Sequence, residues 1–234
     1  MSVALIIGVG EKVGKAAAET FAAAGYKVAV ASRTKRLDQS KFPFFQFDAS
    51  EPTNVPNLFK RVHQEVGVPE VVIYNAYATA PADRSAALDI DSPAAFQKRM
   101  NVNAITPTVV ADEAVKGFLQ LELEGKLGTG GATYMFTGNA LNEKPKLGFF
   151  TLGVGKTTSA RVVEYLALTS YNEKPFSFYY VDERAEDGGP MYKGVNGDPH
   201  AQVFLELARS TKQGPWQYTF SEKNGYAVFS KEWA

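Results

Sequence analysis

Apolar runs of strand length recur along the chain, and each gives way to a segment whose apolar residues repeat at helical spacing. The runs are VALIIGV (3–9), KVAVAS (27–32), FFQFD (44–48), VVIYN (71–75), ATYMFTG (132–138) and FSFYYVD (176–182), with a last short candidate at YAVFS (226–230). Their hydrophobicity is continuous rather than alternating, so both faces of each strand must be covered, as in a parallel sheet sandwiched by helices. Between them Val13, Ala17, Phe21 and Ala24 share one helical face, and Leu58, Val62 and Val66 share another. Ser92-Pro93 and Asp198-Pro199 read as helix starts. The alternation predicts one α/β domain over residues 1–234, a doubly wound parallel sheet with helices on both faces.

Composition narrows what such a domain does. Lys and Arg number 25 against 25 Asp and Glu, so there is no global field to hold nucleic acid or an anionic membrane. Any phosphate recognition must be local. Cysteine is absent, which excludes disulfides, thiolate catalysis and cysteine-type zinc sites; two separated histidines, His63 and His200, do not suggest a metal site. The first ten residues are apolar but run straight into Glu11 and Lys12, unlike a leader or a membrane span, and the expected location is cytoplasmic. Phe42, Phe44, Phe45 and Phe47 crowd the third run and read as packing, not base-stacking.

Local phosphate chemistry is available after the first run, in GVGEKVG. Gly8, Gly10 and Gly14 let the backbone turn sharply and approach a diphosphate, whose charge then meets the positive end of the following helix together with Lys12 and Val13. The second run ends in Ser32-Arg33, with Lys35 and Arg36 close behind and no acid at the tip. A carboxylate there suits a free ribose 2′-hydroxyl and a basic group suits a 2′-phosphate, so NADP(H) is expected in preference to NAD(H), which stays possible. A merely solvated basic turn is the plain alternative.

GVGEKVG, Asp48 closing the third run, Tyr74-Asn75-Ala76 and Asn101 in a helical segment together resemble the short-chain dehydrogenase/reductase family over most of the chain. The resemblance implies a Rossmann sheet of about seven parallel strands, adenine near Asp48, nicotinamide ribose near Asn75 and Ala76, and a homodimer or homotetramer packed through the helices that carry Asn101 and Lys156. The match departs from the family's usual fingerprint at Ile7 and Lys12, and Tyr77 stands where a glycine is usual.

TLGVGKTT (151–158) looks like the end of a P-loop, but the position five before Gly155 is Phe150 rather than glycine, and no strand leads into it. It matches instead the family's Tyr-x-x-x-Lys helix, where phenol and ammonium lie one turn apart. Lys156 matches the lysine; the tyrosine position is Leu152. The family serine falls on Thr137 or Gly138, depending on register. In this respect the chain resembles an atypical subgroup that also lacks the tyrosine. Asn101 matches the tetrad asparagine, and Pro107 frees the carbonyl of Asn103 and should distort the helix there. Tyr134 and Tyr180 sit inside strands and are expected in the core with satisfied hydroxyls.

The expected activity is an NADP(H)-dependent oxidation or reduction of a small alcohol or carbonyl, with Lys156 and Asn101 as surviving site residues and the proton supplied by Thr137, Tyr77 or water. The plainer reading of Tyr77 is a hydrophobic lid over the nicotinamide. An NADP(H)-binding protein without turnover, and a non-redox enzyme on the same fold, remain alternatives. The Gly- and Pro-rich 183–199 segment is a lid or a surface loop, and its acidic cluster, Asp182, Glu183, Glu186 and Asp187, is expected as a solvated face, with a cationic substrate as the alternative.

Overall fold

The computed structural model describes residues 1–37, 41–80, 88, 90–191 and 194–229. Its strands are β1 (Val3–Ile7), β2 (Lys27–Ser32), β3 (Phe44–Gln46), β4 (Val71–Tyr74), β5 (Ala132–Thr137), β6 (Phe176–Glu183), β7 (Gln217–Ser221) and β8 (Gly225–Tyr226). They form one sheet in the order β3-β2-β1-β4-β5-β6-β7-β8, parallel throughout except that β8 runs antiparallel to β7. The order reverses between β1 and β4, which opens a crevice at the carboxyl ends of the strands where such folds bind ligands.

The helices are α1 (Val13–Ala23), α2 (Val55–Glu65), α3 (Pro93–Met100), α4 (Thr106–Leu123), α5 (Phe150–Tyr165) and α6 (Gly197–Arg209). Two cores result. α2, α4 and α5 cover one face around Leu58, Val62, Val110, Phe118, Tyr134, Phe136 and Tyr180. α1 and α6 cover the other around Ala17, Phe21, Met135, Val181 and Phe204. Each buried Leu or Phe contributes about 1.5–3 kcal/mol through area removed from water. Ser92 caps α3 by accepting from the Ala95 amide, as its sequence suggests.

Three expectations need correction. The sheet has eight strands, not about seven: the seventh is QYTFS at 217–221, and the run placed at 226–230 supplies only the end of β8, its last residue lying outside the described ones. β7 escapes sequence reading because Thr219 and Ser221 interrupt its apolar residues, yet both are buried, with hydroxyls donated to the Ala227 carbonyl and the Glu186 carboxylate. The last helix begins at Gly197, not after Asp198, because the side chain of Asn196 accepts from the Asp198 amide and so caps it. Finally, the acidic cluster is a solvated face only at Glu186 and Asp187, which are exposed. Asp182 and Glu183 are buried on β6, while Glu186 binds Ser221, Asn224 and the Lys223 amide.

The helical segment carrying Asn101 is broken where Pro107 suggests. Residues Asn101–Ile105 form one wide π turn between α3 and α4. Proline has no N–H for the carbonyl four residues back. The Ser159 hydroxyl of α5 donates to that Asn103 carbonyl at 3.1 Å instead.

Candidate active site

The glycine loop is fixed by backbone contacts that exclude a side chain. Gly8 has φ of +92°, and a Cβ on it would lie 2.3 Å from the Ala76 nitrogen. The Asn75 side-chain amide donates to the Gly8 carbonyl at 2.7 Å, so Asn75 anchors the loop. A Cβ on Gly14 would meet Val9 Cα at 2.7 Å, which lets α1 start directly under the loop. At Gly10 an added Cβ meets nothing within 4 Å. No side chain caps α1 and its first turn carries no acid, so Lys12 and Val13 stand at an uncapped, positive helix end. An open side over Gly10 and an electropositive helix end fit a dinucleotide diphosphate. The first turn of α6 presses on this loop: a Cβ on Gly197 would lie 2.8 Å from the Lys12 carbonyl. A polar cleft of about 430 Å³ runs beside it, between Glu11, Lys12, Lys15, Asn196 and Asp198.

At the tip of β2 the Ser32 hydroxyl donates to the Thr34 carbonyl, and Arg33, Lys35 and Arg36 are exposed. Lys35 lies over the Phe44 ring. After β3, Asp48 accepts from the Ser50 amide and tightens the turn into α2. The structure turns Asn101 toward this end of the crevice. Its amide donates to the Ser50 carbonyl at 2.8 Å and accepts from Gln97. The asparagine facing α5 is Asn103, which exchanges two hydrogen bonds with the Ala78 backbone, both at 2.8 Å. Gly155 allows this approach, since a Cβ there would sit 2.3 Å from Asn103 Cβ. Pro107, four residues on, was the sequence signal that distinguishes Asn103 from Asn101.

Lys156 rises from α5 to the carboxyl end of β5. Its Nζ donates to the Thr137 carbonyl at 2.5 Å and lies 4.5 Å from the centre of the Phe136 ring. That ring is the middle of a stack, with Tyr74 and Tyr180 each 5.7 Å away. Burial pushes the ammonium down to about 7, against the opposing charge of Asp182.

The hydroxyls expected beside Lys156 are not there. Leu152 is buried at the phenol position. A Cβ on Gly138 would lie 2.2 Å from the Tyr180 ring, so that ring fills the place of a serine side chain. Tyr180 takes the Asn139 amide and donates to the Asn139 carbonyl at 2.7 Å, and Tyr134 donates to Pro107, so both are core residues as expected. Thr137 pairs in register with Val181, and strand alternation puts its side chain on the α1/α6 face with Met135, across the sheet from Lys156. Its hydroxyl is buried without a partner. Tyr77 is 67% exposed, in water at the crevice mouth.

Sequence reasoning missed the charged groups below. Arg184, 1% exposed, contacts Asp182, Glu143 and the Gly188 carbonyl. Burial pushes Asp182 up to about 6, opposed by Arg184, His200 and Lys156, and its Oδ1 has no hydrogen-bond partner. On the opposite face His200 meets Glu183 at 3.1 Å, both buried. Only the run of charge at 182–187 hinted at them.

Residues 2–128 match the family model described as short chain dehydrogenase. The chain is 33% identical, over 97% of its length and 94% of the relative's, to the short chain dehydrogenase/reductase dmxR12 of Cryptosporiopsis sp. (strain 8999). Among solved structures it is similar to a metagenomic short-chain oxidoreductase in complex with NADP, with TM-score 0.75 and 14% identity over 94% of this chain and 96% of that one. It is also similar to the NADH-dependent reductase A1-R′ complexed with NAD, with TM-score 0.74 and 16% identity over 91% and 93% of the two chains.

Proposed function

The chain belongs to the short-chain dehydrogenase/reductase family, and from that premise we propose that it is an NADP(H)-dependent oxidoreductase of a small carbonyl or alcohol. The observation that carries the reading is the glycine loop, pressed onto Ala76 beneath an uncapped helix, with a buried lysine at the same carboxyl edge of the sheet. Gly8, Gly10, Lys12, Val13 and Gly14 would hold the diphosphate, Asn75 and Ala76 would flank the nicotinamide ribose, and Lys156 would offer one of its two remaining N–H donors to a ribose hydroxyl. Asp48, braced by the Ser50 turn, would border the adenine. The half-buried Ser32 and the exposed Arg33 at the tip of β2 favour the 2′-phosphate of NADP(H) over NAD(H). Asn103, which faces α5, is read in the role assigned from sequence to Asn101. A reduced nicotinamide, when bound, supplies hydride to a carbonyl carbon; the protein must orient that carbon, exclude water and supply a proton to the oxygen.

The whole chain is read as one domain, placed in the cytoplasm and in the family's atypical subgroup without the tyrosine. Among the described residues no helix is long and apolar enough to cross a membrane. The test is binding of NADPH and NADH, followed by cofactor fluorescence, and then NADPH consumption over a panel of aldehydes, ketones and quinones. Tight NADPH binding with turnover of at least one panel member is expected. A second reading, an NADP(H)-binding protein without turnover, is favoured by Leu152 and by the Tyr180 ring over Gly138. Binding with no consumption of NADPH on any panel member would decide for it.

A further inference from the structure

We propose that Lys156 itself, rather than any hydroxyl, delivers the proton to the substrate oxygen, with Asp182 holding the ammonium charge and Arg184 and Glu143 as positioning residues behind Asp182. The proposal rests on the oxidoreductase reading. In the reducing direction the carbonyl π bond breaks, a C–H bond forms with the hydride of NADPH and an O–H bond forms with the ammonium proton. The lysine is left as a neutral amine and regains its proton from solvent.

Among the described residues, elimination among the hydroxyls is geometric. The phenol position holds Leu152, and the serine position holds glycine under an aromatic ring. Thr137 points to the other face of the sheet. The Ser159 hydroxyl is buried and donated to the Asn103 carbonyl. The Tyr180 and Tyr74 phenols are committed to the carbonyls of Asn139 and Val102. An exposed Tyr77 keeps its ordinary, water-facing surroundings.

Lys156, by contrast, stands at the strand ends where ligands of such folds bind, 6% exposed, with one of its three donors used. The groups around it set its charge. From β5 come the Thr137 carbonyl and the Phe136 ring, and from the π turn the uncharged Asn103. From β4 comes Tyr74, whose phenol burial raises and keeps neutral. From β6 comes Asp182, among the described residues the one carboxylate acting on the ammonium; behind it stand Arg184 and Glu143, and His200 acts on it from α6. A near-neutral acid releases its proton readily at the working pH, as a general acid requires. Arg184 opposes the burial of Asp182 and so keeps it charged, which in turn sustains the ammonium.

The experiment uses the full chain carrying ¹³Cε-labelled lysine. The Cε resonance lost in Lys156→Met is followed by NMR against pH, without cofactor. It should titrate near neutrality, apart from the other lysines, and Asp182→Asn should move its midpoint down. In the NADPH assay, kcat/KM for carbonyl reduction should fall as pH rises through the same midpoint. Lys156→Arg, which keeps the charge but does not release a proton, should lose about a hundredfold or more of the rate, while NADPH fluorescence still reports binding. A Lys156 midpoint together with the other lysines, or one unmoved by Asp182→Asn, overturns the proposal even if NADPH is consumed. Full NADPH consumption by Lys156→Arg does the same. Absence of consumption by the wild-type chain with NADPH bound overturns the oxidoreductase reading and the proposal with it.

Discussion

Gly8 holds a positive φ and lies against the Ala76 backbone, so two independent constraints fall on one residue. Gly8→Ala should lower stability by more than about 2 kcal/mol, from the left-handed strain plus the displaced backbone, seen as a lower urea midpoint with an unchanged slope. Lys156 gives a pH signature with a definite sign. Its pKa falls from 10.5 unfolded to about 7 folded. Between those values the unfolded state binds more protons, so stability rises with pH there; below about 7 the burial penalty is fully present. Asp182 runs oppositely, because its pKa rises from 3.8 to about 6, so its contribution is present below 3.8 and lost as pH rises to 6. Urea unfolding across pH should therefore show a rise between 7 and 10 that Lys156→Met abolishes. Leu152→Tyr should raise carbonyl reduction by about tenfold or more, since a phenol one turn from Lys156 restores the family's acid; an unchanged rate would show that the site is not assembled for it.

Elements show how local chemistry was both legible and hidden. The βα rhythm, the Ser92 cap and the break ahead of Pro107 follow from rules that act within a few residues, and the structure holds all three. β7 did not, because its polar residues are satisfied by Ala227 and by Glu186 on distant loops. The 183–191 stretch looks loose by composition, yet Arg184 ties it through Asp182, Glu143 and Gly188. Removing one partner of a buried ion pair leaves the other uncompensated, so Arg184→Met should cost about 3 kcal/mol or more. The same variant should open this stretch to cleavage by thermolysin, read by mass spectrometry, before the sheet unfolds. Likewise α5 and the π turn approach closely only because Gly155 has no side chain.

At the scale of the whole molecule, the exposed apolar residues Ile105, Leu119 and Leu123 continue along the α4 side, and Phe150, Tyr165 and Leu168 along the α5 side. Exposed apolar residues on these two helices support the proposal of a homodimer or homotetramer packed through them. Light scattering after size exclusion should report that oligomer, and a double Leu123→Glu, Tyr165→Glu variant should run as a monomer. The amino-acid sequence by itself determined the α/β class, the glycine loop, and the pairing of Leu152 with Lys156 one turn apart on a helix, because each depends on residues adjacent or one helical turn apart. Only the tertiary structure decided which asparagine faces α5, which face Thr137 takes, and that Tyr180 fills the space over Gly138. It alone brought Asp182, Arg184 and Glu143 together. Those arrangements join residues as far apart in sequence as Asn103 and Ser159, and burial, which sets the charge of the ionisable ones, is a property of the packed chain that no local pattern encodes.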